Sequence, residues 1–375
     1  MRARLRQRRV RTVAHDGASP IPDRIDRDLL ALESRSRWVV AAIVSVALVG
    51  LGLVRVRLGV RPTYLGVDYA RLAADPFHPA ADNPVAHRIL TPLVSHLIGL
   101  RGPFLIYTNL LVVLALIAAG YLWFRARGHL PLTAVLGAST LALSMVCLTT
   151  LHFGGYTDAL TYLLVFGSWW ARRRAWASAL LFFLAALNHE SAWFLAPWWI
   201  VVLARERNGG RDGWTRAFAT FGVSALAYAG ACALLPSTHA ATAFSPAYYA
   251  RPLLDDPLHW FRAAAPHGAL GVAAAFNLYW AFALLAVARR AMNGARGEAL
   301  VLALPIPLAL LQLFVAYDVT RLATLAFMSV VLGCEELLRT NGFGARRWAL
   351  PLAVANFFIP QVSVAMGVVS HMGAR

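Results

Sequence analysis

Long apolar stretches recur along the chain from residue 38 to the C-terminus, separated by short polar connections. Of the 375 residues, 59% are hydrophobic and only 14% are charged. A soluble domain carries about 25% charged residues. The low charged fraction of this chain therefore does not suit a water-soluble protein. Helices of about 20 apolar residues can cross a bilayer with every backbone group hydrogen-bonded. The sequence therefore predicts an all-α, polytopic transmembrane helical bundle.

The apolar runs predict about nine to eleven spans, with eleven favoured. The stretch 175–204 is the least certain, because Asn188, His189 and Glu190 interrupt it. It is either two spans or one re-entrant hairpin. The eleven predicted spans are 38–54, 103–124, 130–149, 157–170, 175–188, 191–204, 215–236, 269–288, 299–316, 320–337 and 348–370.

The first 36 residues differ from the rest of the chain. They are polar and rich in arginine, and no apolar face emerges before Leu29. Such a composition predicts a disordered, basic cytoplasmic tail at 1–36. The first apolar run has no small-x-small pattern after it, so it is expected to remain as an uncleaved span. Residues 37–375 are then expected to form a single transmembrane domain.

The positive charge predicts an orientation. The net charge is +17 and the chain contains no lysine, which is typical of a GC-rich bacterial genome. With the N-terminus in the cytoplasm, strict alternation of spans places five arginine-bearing connections inside, as the positive-inside rule requires. We therefore expect a multi-pass protein of the bacterial inner membrane that does not bind nucleic acid. The exceptions are Arg55, Arg57 and Arg61, which would lie outside.

The first predicted outer loop, 63–101, is rich in ionisable side chains. Asn83 and Pro84 form a good helix start, with asparagine as the cap and proline at the first position. Polar residues then recur on one side of that helix and apolar residues on the other. The pattern predicts an amphipathic surface helix that kinks or restarts at Pro92.

The same alternation places several polar breaks on the outer side, where they are expected to converge. The candidate site residues are Asp68, His87, Arg88, His152, Asp158, His189, Glu190, Asp318 and Arg321. A carboxylate there can act as a general base, and an arginine can bind a phosphate through paired hydrogen bonds. Structural roles are the alternative: a solvated loop carboxylate, a snorkelling arginine, a capped turn, or an Asp318–Arg321 ion pair within one helix.

A metal site is a further alternative. His152, Asp158, His189 and Glu190 have side chains that bind metals, although position 193 is Trp, so the zinc-protease motif is absent. We assign no metal ligand and no other cofactor from the sequence, and a divalent cation stays an open alternative.

This arrangement resembles the GT-C superfamily of membrane glycosyltransferases. The resemblance rests on a first span followed by a large outer loop with an early acidic residue, Asp68 in VDYARLA, and then a surface helix with a basic residue, Arg88 in HRILTPL. It implies that Asp68 is the catalytic carboxylate and that the donor is a polyprenyl-phosphate-linked sugar. The acceptor would be a lipid or a glycan.

The resulting hypothesis is a glycosyltransferase in which Asp68 activates the acceptor while Arg88 and Arg321 hold the donor phosphate. The remaining candidates would shape the sugar pocket. Three other classes stay open: a transporter or flippase for an anionic lipid or solute, a non-catalytic subunit of an envelope complex, and a metal-dependent membrane hydrolase. A transporter requires polar residues along a route through both halves of the membrane.

Overall fold

The computed structural model describes residues 20–80, 82–206, 209–234 and 246–373. Short 3₁₀ turns join several of the helices, and the α-helices are α1 (Pro20–Arg35), α2 (Arg37–Arg55), α3 (Leu65–Ala74), α4 (Leu90–Leu97), α5 (Leu105–Ala126), α6 (Pro131–Ala142), α7 (Met145–His152), α8 (Asp158–Trp170), α9 (Ala175–Asn188), α10 (Ala196–Arg205), α11 (Arg211–Leu234), α12 (Pro246–Asp255), α13 (His259–Ala264), α14 (Gly268–Phe276), α15 (Trp280–Met292), α16 (Arg296–Ala303), α17 (Pro305–Leu311), α18 (Val319–Ala323) and α19 (Phe327–Phe358). The strands are β1 (Val362–Ala365) and β2 (Val368–His371).

The described residues contain five helical segments that are long and apolar enough to cross a membrane: Arg37–Arg55, Gly102–Ala126, Arg211–Leu234, Gly268–Met292 and Arg296–Phe314. The pair α6 and α7, which is bent by 53°, makes a sixth if it is counted as one span. The chain is thus helical with several segments suited to a membrane, as the sequence predicts. The count of eleven spans is not confirmed, because other apolar runs form shorter helices, such as the 13-residue α8.

The N-terminal region is more ordered than its composition predicts. The part of the predicted tail before residue 20 lies outside the described residues, but α1 forms within it. Helix α1 is held by two carboxylates: Asp26 accepts from the backbone N–H of Leu132 at 2.8 Å, and Glu33 accepts from Tyr121 at 2.6 Å. These contacts to the beginning of α6 and to α5 supply the stabilisation that a solvated tail would lack.

One end of the bundle collects arginines from separate connections, and we call it the arginine end. Its ion pairs are Arg127–Glu335 at 3.2 Å, Arg172–Glu206 at 2.8 Å and Arg290–Glu336 at 2.6 Å. The sequence analysis placed these arginines in connections on one side of the membrane, and the pairs bring those connections together. Which compartment this end faces stays a prediction.

The uncertain stretch 175–204 runs away from the arginine end and then returns to it. Helix α9 starts next to Arg174 at the arginine end and finishes at Asn188. The chain then turns at His189 and returns through a 3₁₀ segment and α10 to Glu206, which pairs with Arg172 and Arg173. At about 1.5 Å per residue, α9 covers roughly the same distance as α8 beside it. We call the opposite end, where the chain turns at His189, the site end.

The surface helix is shorter than predicted and its polar side faces inward. Helix α4 begins only at Leu90, so Pro92 lies in its first turn, where a missing N–H breaks no helical hydrogen bond. Thr91 and Ser95 are fully buried, whereas Leu97 is 68% exposed. Asn83 does not start this helix: its side chain accepts from the Val85 N–H and donates to the backbone carbonyl of Asp68.

The C-terminal region also differs from the prediction of spans at 320–337 and 348–370. The single long helix α19 replaces the predicted break between them, and it ends at Phe358. Strands β1 and β2 then form an antiparallel hairpin in place of the last helical turns. The two turn residues, Met366 and Gly367, both have positive φ, which suits a two-residue hairpin turn. The sequence analysis predicted that this apolar segment continues as a helix, so it did not predict the turn.

Glycines allow the 63–101 segment, which the sequence predicts to be the first outer loop, to pack directly on the turn that follows α7. Gly155 has a φ of +94°, and an added Cβ would lie 2.7 Å from the Cα of Gly66 and 2.8 Å from its carbonyl oxygen. No side chain larger than hydrogen fits here without backbone movement. This turn leads directly into Asp158, so the glycine contact helps to position the candidate site.

We expect Gly155→Ala to lower the free energy of unfolding by about 2–4 kcal/mol, since it adds a backbone clash to a left-handed conformation. Gly128→Ala is the matched control, because Gly128 has a φ of +91° with nothing within 4 Å of an added Cβ. The control should lose only about 1–2 kcal/mol. Denaturation in mixed detergent micelles measures both, and equal losses would contradict a role for the close contact.

Candidate functional site

The break between α9 and α10 is organised by Asn188, which is fully buried. Its side-chain oxygen accepts from the N–H and hydroxyl of Thr91 at 3.1 and 2.6 Å. Its amide donates to the Thr157 carbonyl at 3.0 Å and to the Thr161 hydroxyl at 2.9 Å. One side chain thereby joins α4, α8 and the end of α9. The residues that follow it, His189 and Glu190, are fixed in place by this junction.

Arg88 forms the first half of the site. It is only 3% exposed. It donates two hydrogen bonds to the Glu190 carboxylate, one from Nε to Oε2 at 2.9 Å and one from Nη2 to Oε1. Its Nη1 donates to the hydroxyl of Tyr69 at 3.0 Å, and His87 lies 3.3 Å from Glu190. The pair joins the 63–101 segment to the α9–α10 turn. All three nitrogens of the Arg88 guanidinium are therefore engaged within the protein.

The ionisation of Glu190 follows from this pairing. Burial alone would raise the pKa of this carboxyl, but Arg88, His189 and His87 together hold the pKa well below its usual range. About a third of the Glu190 side chain is exposed. Glu190 is therefore an ionised partner of Arg88 and a poor proton acceptor at neutral pH.

Arg321 forms the second half of the site. Its Nε lies 3.2 Å from Asp318 and 4.0 Å from Asp158, and its guanidinium stacks 5.0 Å above the Tyr156 ring. Burial opposes its charge, but Asp318 and Asp158 raise the pKa of Arg321 above its ordinary value. Burial raises the pKa of Asp318, although Arg321 partly offsets this. Nε is the Arg321 nitrogen closest to both carboxylates. Within the described residues, neither terminal nitrogen of Arg321 makes a hydrogen bond, whereas both terminal nitrogens of Arg88 do.

His189 lies between the two halves. Its Nδ1 accepts from the Ser191 N–H at 3.2 Å, which places the ring proton on Nε2. That Nε2 is buried, has no hydrogen-bond partner among the described residues, and lies 3.9 Å from Oδ1 of Asp158. Burial, with a further contribution from Arg88, lowers the pKa of His189 to about 4. The imidazole is therefore neutral near pH 7 and presents an N–H towards Asp158.

These contacts form one continuous set, which we call the charged cluster. Two of its carboxylates, Asp158 and Asp318, come from separate parts of the chain and meet at Arg321. Asp158 is also the first residue of α8, where the helix dipole stabilises a negative charge. The members of the cluster are Tyr69, His87, Arg88, Tyr156, Asp158, His189, Glu190, Asp318 and Arg321.

Asp68 lies outside the charged cluster. Its carboxylate has one ion pair among the described residues, to Arg71 at 3.6 Å, and 21% of its side chain is exposed. Successive residues on a helix point about 100° apart, so α3 can turn only one of two neighbours fully inward. It buries Tyr69, whose hydroxyl reaches Arg88. The assignment of Asp68 as the catalytic base stays a prediction that these contacts do not support.

His152 also lies apart from the charged cluster. Its Nδ1 is 3.0 Å from the backbone carbonyl of Arg57. The composite metal site considered from the sequence thus lacks one of its four members. Among the described ranges, no group of three or more His, Cys, Asp and Glu residues is arranged to hold a metal ion.

Sequence reasoning did not single out Tyr69, Tyr156 or Asn188 as members of the site. The signal for Tyr69 was its place one residue after Asp68. Asn188 stood within the polar break and Tyr156 within the Gly-Gly turn, so both were visible as neighbours of candidates. Their roles depend on partners far away in the sequence.

Comparison with known proteins adds no relative. No family model, no curated protein and no solved structure matches this chain.

Proposed function

We propose that this protein is a membrane glycosyltransferase that uses the charged cluster to move a sugar from a polyprenyl-phosphate-linked donor to a hydroxyl group. Asp158 would take the proton of the acceptor hydroxyl as its oxygen bonds to the anomeric carbon. The bond from that carbon to the phosphate oxygen would break, and the phosphate would leave with the electron pair. Arg321 would stabilise the charge on the departing phosphate.

One observation carries this proposal: Asp158 and Arg321 lie side by side, with Asp158 Oδ1 4.0 Å from Nε of Arg321 and 3.9 Å from Nε2 of His189. Both distances exceed a direct hydrogen bond. A hydroxyl oxygen that hydrogen-bonds to Asp158 would also lie close to Nε2 of His189, whose N–H has no other partner among the described residues and would orient it. A base and a phosphate-binding cation beside each other are the two groups that this reaction needs.

Arg88 and Arg321 differ in which of their guanidinium nitrogens already have partners within the protein. Arg88 uses its guanidinium on Glu190 and Tyr69, so it supports the architecture of the cluster. Arg321 is held by a carboxylate through Nε. Its planar guanidinium can still present terminal N–H groups to phosphate oxygens. We therefore assign the phosphate contact to Arg321 and a positioning role to Arg88.

The test is sugar transfer by membranes that contain the protein, supplied with radiolabelled polyprenyl-phosphate mannose, glucose, galactose or arabinose. One donor is expected to label a lipid or glycan fraction, while membranes without the protein should not. A transporter or flippase would instead carry the labelled lipid or its sugar across reconstituted vesicles without joining it to an acceptor. That result, with no transfer from any of the four donors, would contradict the proposal.

A further inference from the structure

A second feature of the site end is an open cavity of about 940 Å³ that the charged cluster does not include. It lies where the end of α2, the end of α7, the end of α19 and the C-terminal hairpin meet. Among the described residues, its lining contains two arginines and two histidines and no carboxylate. The lining residues are Val54, Arg55, Arg57, His152, Phe357, Phe358, Ile359, Pro360, Gln361, Val369, His371 and Gly373.

Arg55 gives this cavity a fixed positive charge. The residue is 7% exposed, and its terminal nitrogens donate to three backbone carbonyls, at Leu143 (2.6 Å), Asn356 (2.9 Å) and Ile359 (3.0 Å). Among the described residues no carboxylate pairs with it, and its Nε is buried without a hydrogen-bond partner. By contrast, Arg88 and Arg321 in the charged cluster both have carboxylate partners. Carbonyl dipoles orient the Arg55 guanidinium but leave its net charge uncompensated.

Arg57 adds a second charge on a fixed stretch of backbone. Its N–H donates to the Met372 carbonyl at 3.1 Å, and its own carbonyl lies 3.0 Å from Nδ1 of His152. That contact makes Nδ1 of His152 the donor. The Arg57 side chain is exposed and makes no ion pair within the described ranges. It lines the cavity together with the exposed His371.

Apolar side chains border the same cavity. Val54 is 69% exposed and Phe358 is 75% exposed. Arg55 occupies the last turn of α2, which is long and apolar enough to cross a membrane. If α2 crosses, its last turn lies at the depth of the lipid head groups. The cavity therefore combines a basic lining with apolar surface at its edge.

We propose that this cavity binds the phosphate head group of an anionic membrane lipid, with the lipid chains lying along Val54 and Phe358. Arginine is suited to phosphate oxygens, and basic pockets beside transmembrane helices suit anionic lipids. The proposal does not depend on glycosyl transfer. It also gives a reason for Arg55 and Arg57 to depart from the charge distribution of the other connections, since both serve one bound anion.

The experiment measures lipid binding by native mass spectrometry on the detergent-purified full chain, with dioleoyl-phosphatidylglycerol and dioleoyl-phosphatidylcholine in parallel. One phosphatidylglycerol should bind in preference to phosphatidylcholine. Arg57→Gln should weaken that binding about five- to tenfold, because one cationic contact to the head group is lost. His371→Gln is a second variant in the same lining. Arg101→Gln is the matched control, since Arg101 is exposed at the site end and does not line the cavity.

Three outcomes would overturn the proposal. If Arg57→Gln and His371→Gln, with unchanged elution and melting temperature, bind phosphatidylglycerol as the unmodified chain does, the cavity is not its site. If inorganic phosphate at millimolar concentration displaces no lipid but itself protects the chain from thermal unfolding in an Arg57-dependent way, the ligand is a soluble anion. Binding that the Arg101→Gln control weakens equally would indicate general attraction between charges.

Discussion

Asp158→Asn is expected to slow sugar transfer by about 10²- to 10⁴-fold, the range over which a general base contributes to a reaction. The amide has nearly the same shape as the carboxylate and remains at the start of α8. It cannot take a proton from the acceptor hydroxyl. Arg321 keeps its closer carboxylate partner, Asp318 at 3.2 Å, so the phosphate contact should persist. The measurement is the initial rate of label transfer by membranes with equal amounts of each protein.

Asp68→Asn is the matched comparison, because it makes the same chemical change in a carboxylate of another segment, α3, which the sequence places on the same side of the membrane. Its partner is Arg71 at the surface of α3, outside the charged cluster. We expect transfer within about threefold of the unmodified rate, in line with the small contribution of exposed ion pairs. The resemblance to GT-C enzymes predicts the reverse order. Full activity in Asp158→Asn with loss in Asp68→Asn would establish Asp68 as the base and contradict our assignment.

A structural role for Asp158 would give a different signature. Loss of a merely supporting carboxylate should lower the melting temperature and raise the KM for the donor. Loss of the base should reduce kcat with little change in either quantity. Asp158→Glu adds a further discrimination, since it keeps the proton acceptor while moving it by one methylene. Partial recovery of kcat in Asp158→Glu is expected only if the carboxylate itself takes part.

The sequence was sufficient to predict the helical, apolar character of the chain and most of the residues that meet at the site end. Charges in apolar surroundings are expensive, so a break such as Asn188-His189-Glu190 marks a site or a pair in any helical membrane protein. Alternation of spans then places separate breaks at the same end. Neither argument depends on knowing how the helices pack.

The sequence could not show which of these residues contact each other. Arg88 and Glu190 are 102 positions apart, and whether the outer loop presents Asp68 or Tyr69 depends on a rotation of α3 by one residue. The formation of α1 depends in the same way on distant residues, because Tyr121 and Arg125 both donate hydrogen bonds to Glu33 of this helix. The hairpin after α19 was missed because its apolar residues resemble a continuing helix until the turn geometry is known.

Arg88→Met should destabilise the folded protein. It removes both hydrogen bonds to Glu190 and the one to Tyr69. The remaining partners of this partly buried carboxylate within the described residues are His87 and His189. Breaking a buried ion pair costs about 3–5 kcal/mol. Because a third of the Glu190 side chain is exposed, solvent screening reduces this, and we expect about 2–3 kcal/mol. Denaturation with sodium dodecyl sulfate in mixed micelles measures the loss.

The matched control is Arg71→Met, which breaks an ion pair whose arginine side chain is 64% exposed. It should change the free energy of unfolding by less than about 1 kcal/mol. The double variant Arg88→Met/Glu190→Gln should recover part of the loss, since the unpaired charge is removed as well. Equal effects of Arg88→Met and Arg71→Met would show that the Arg88–Glu190 pair does not hold the two segments together.

The pH dependence gives an independent check on the same pair. Arg88 lowers the pKa of Glu190 in the folded protein, so the unfolded chain binds the proton more readily. The stability that the pair contributes is therefore fully present above the unfolded pKa of about 4.3 and declines as the pH falls below it, towards the lower folded pKa. The difference between the unmodified chain and Arg88→Met should shrink over that acidic range and stay constant from about pH 6 to 8. If the difference in unfolding free energy between the two proteins grew on acidification, Glu190 would not be the ionised partner of Arg88. Another group would then have to supply the negative charge that stabilises this buried arginine.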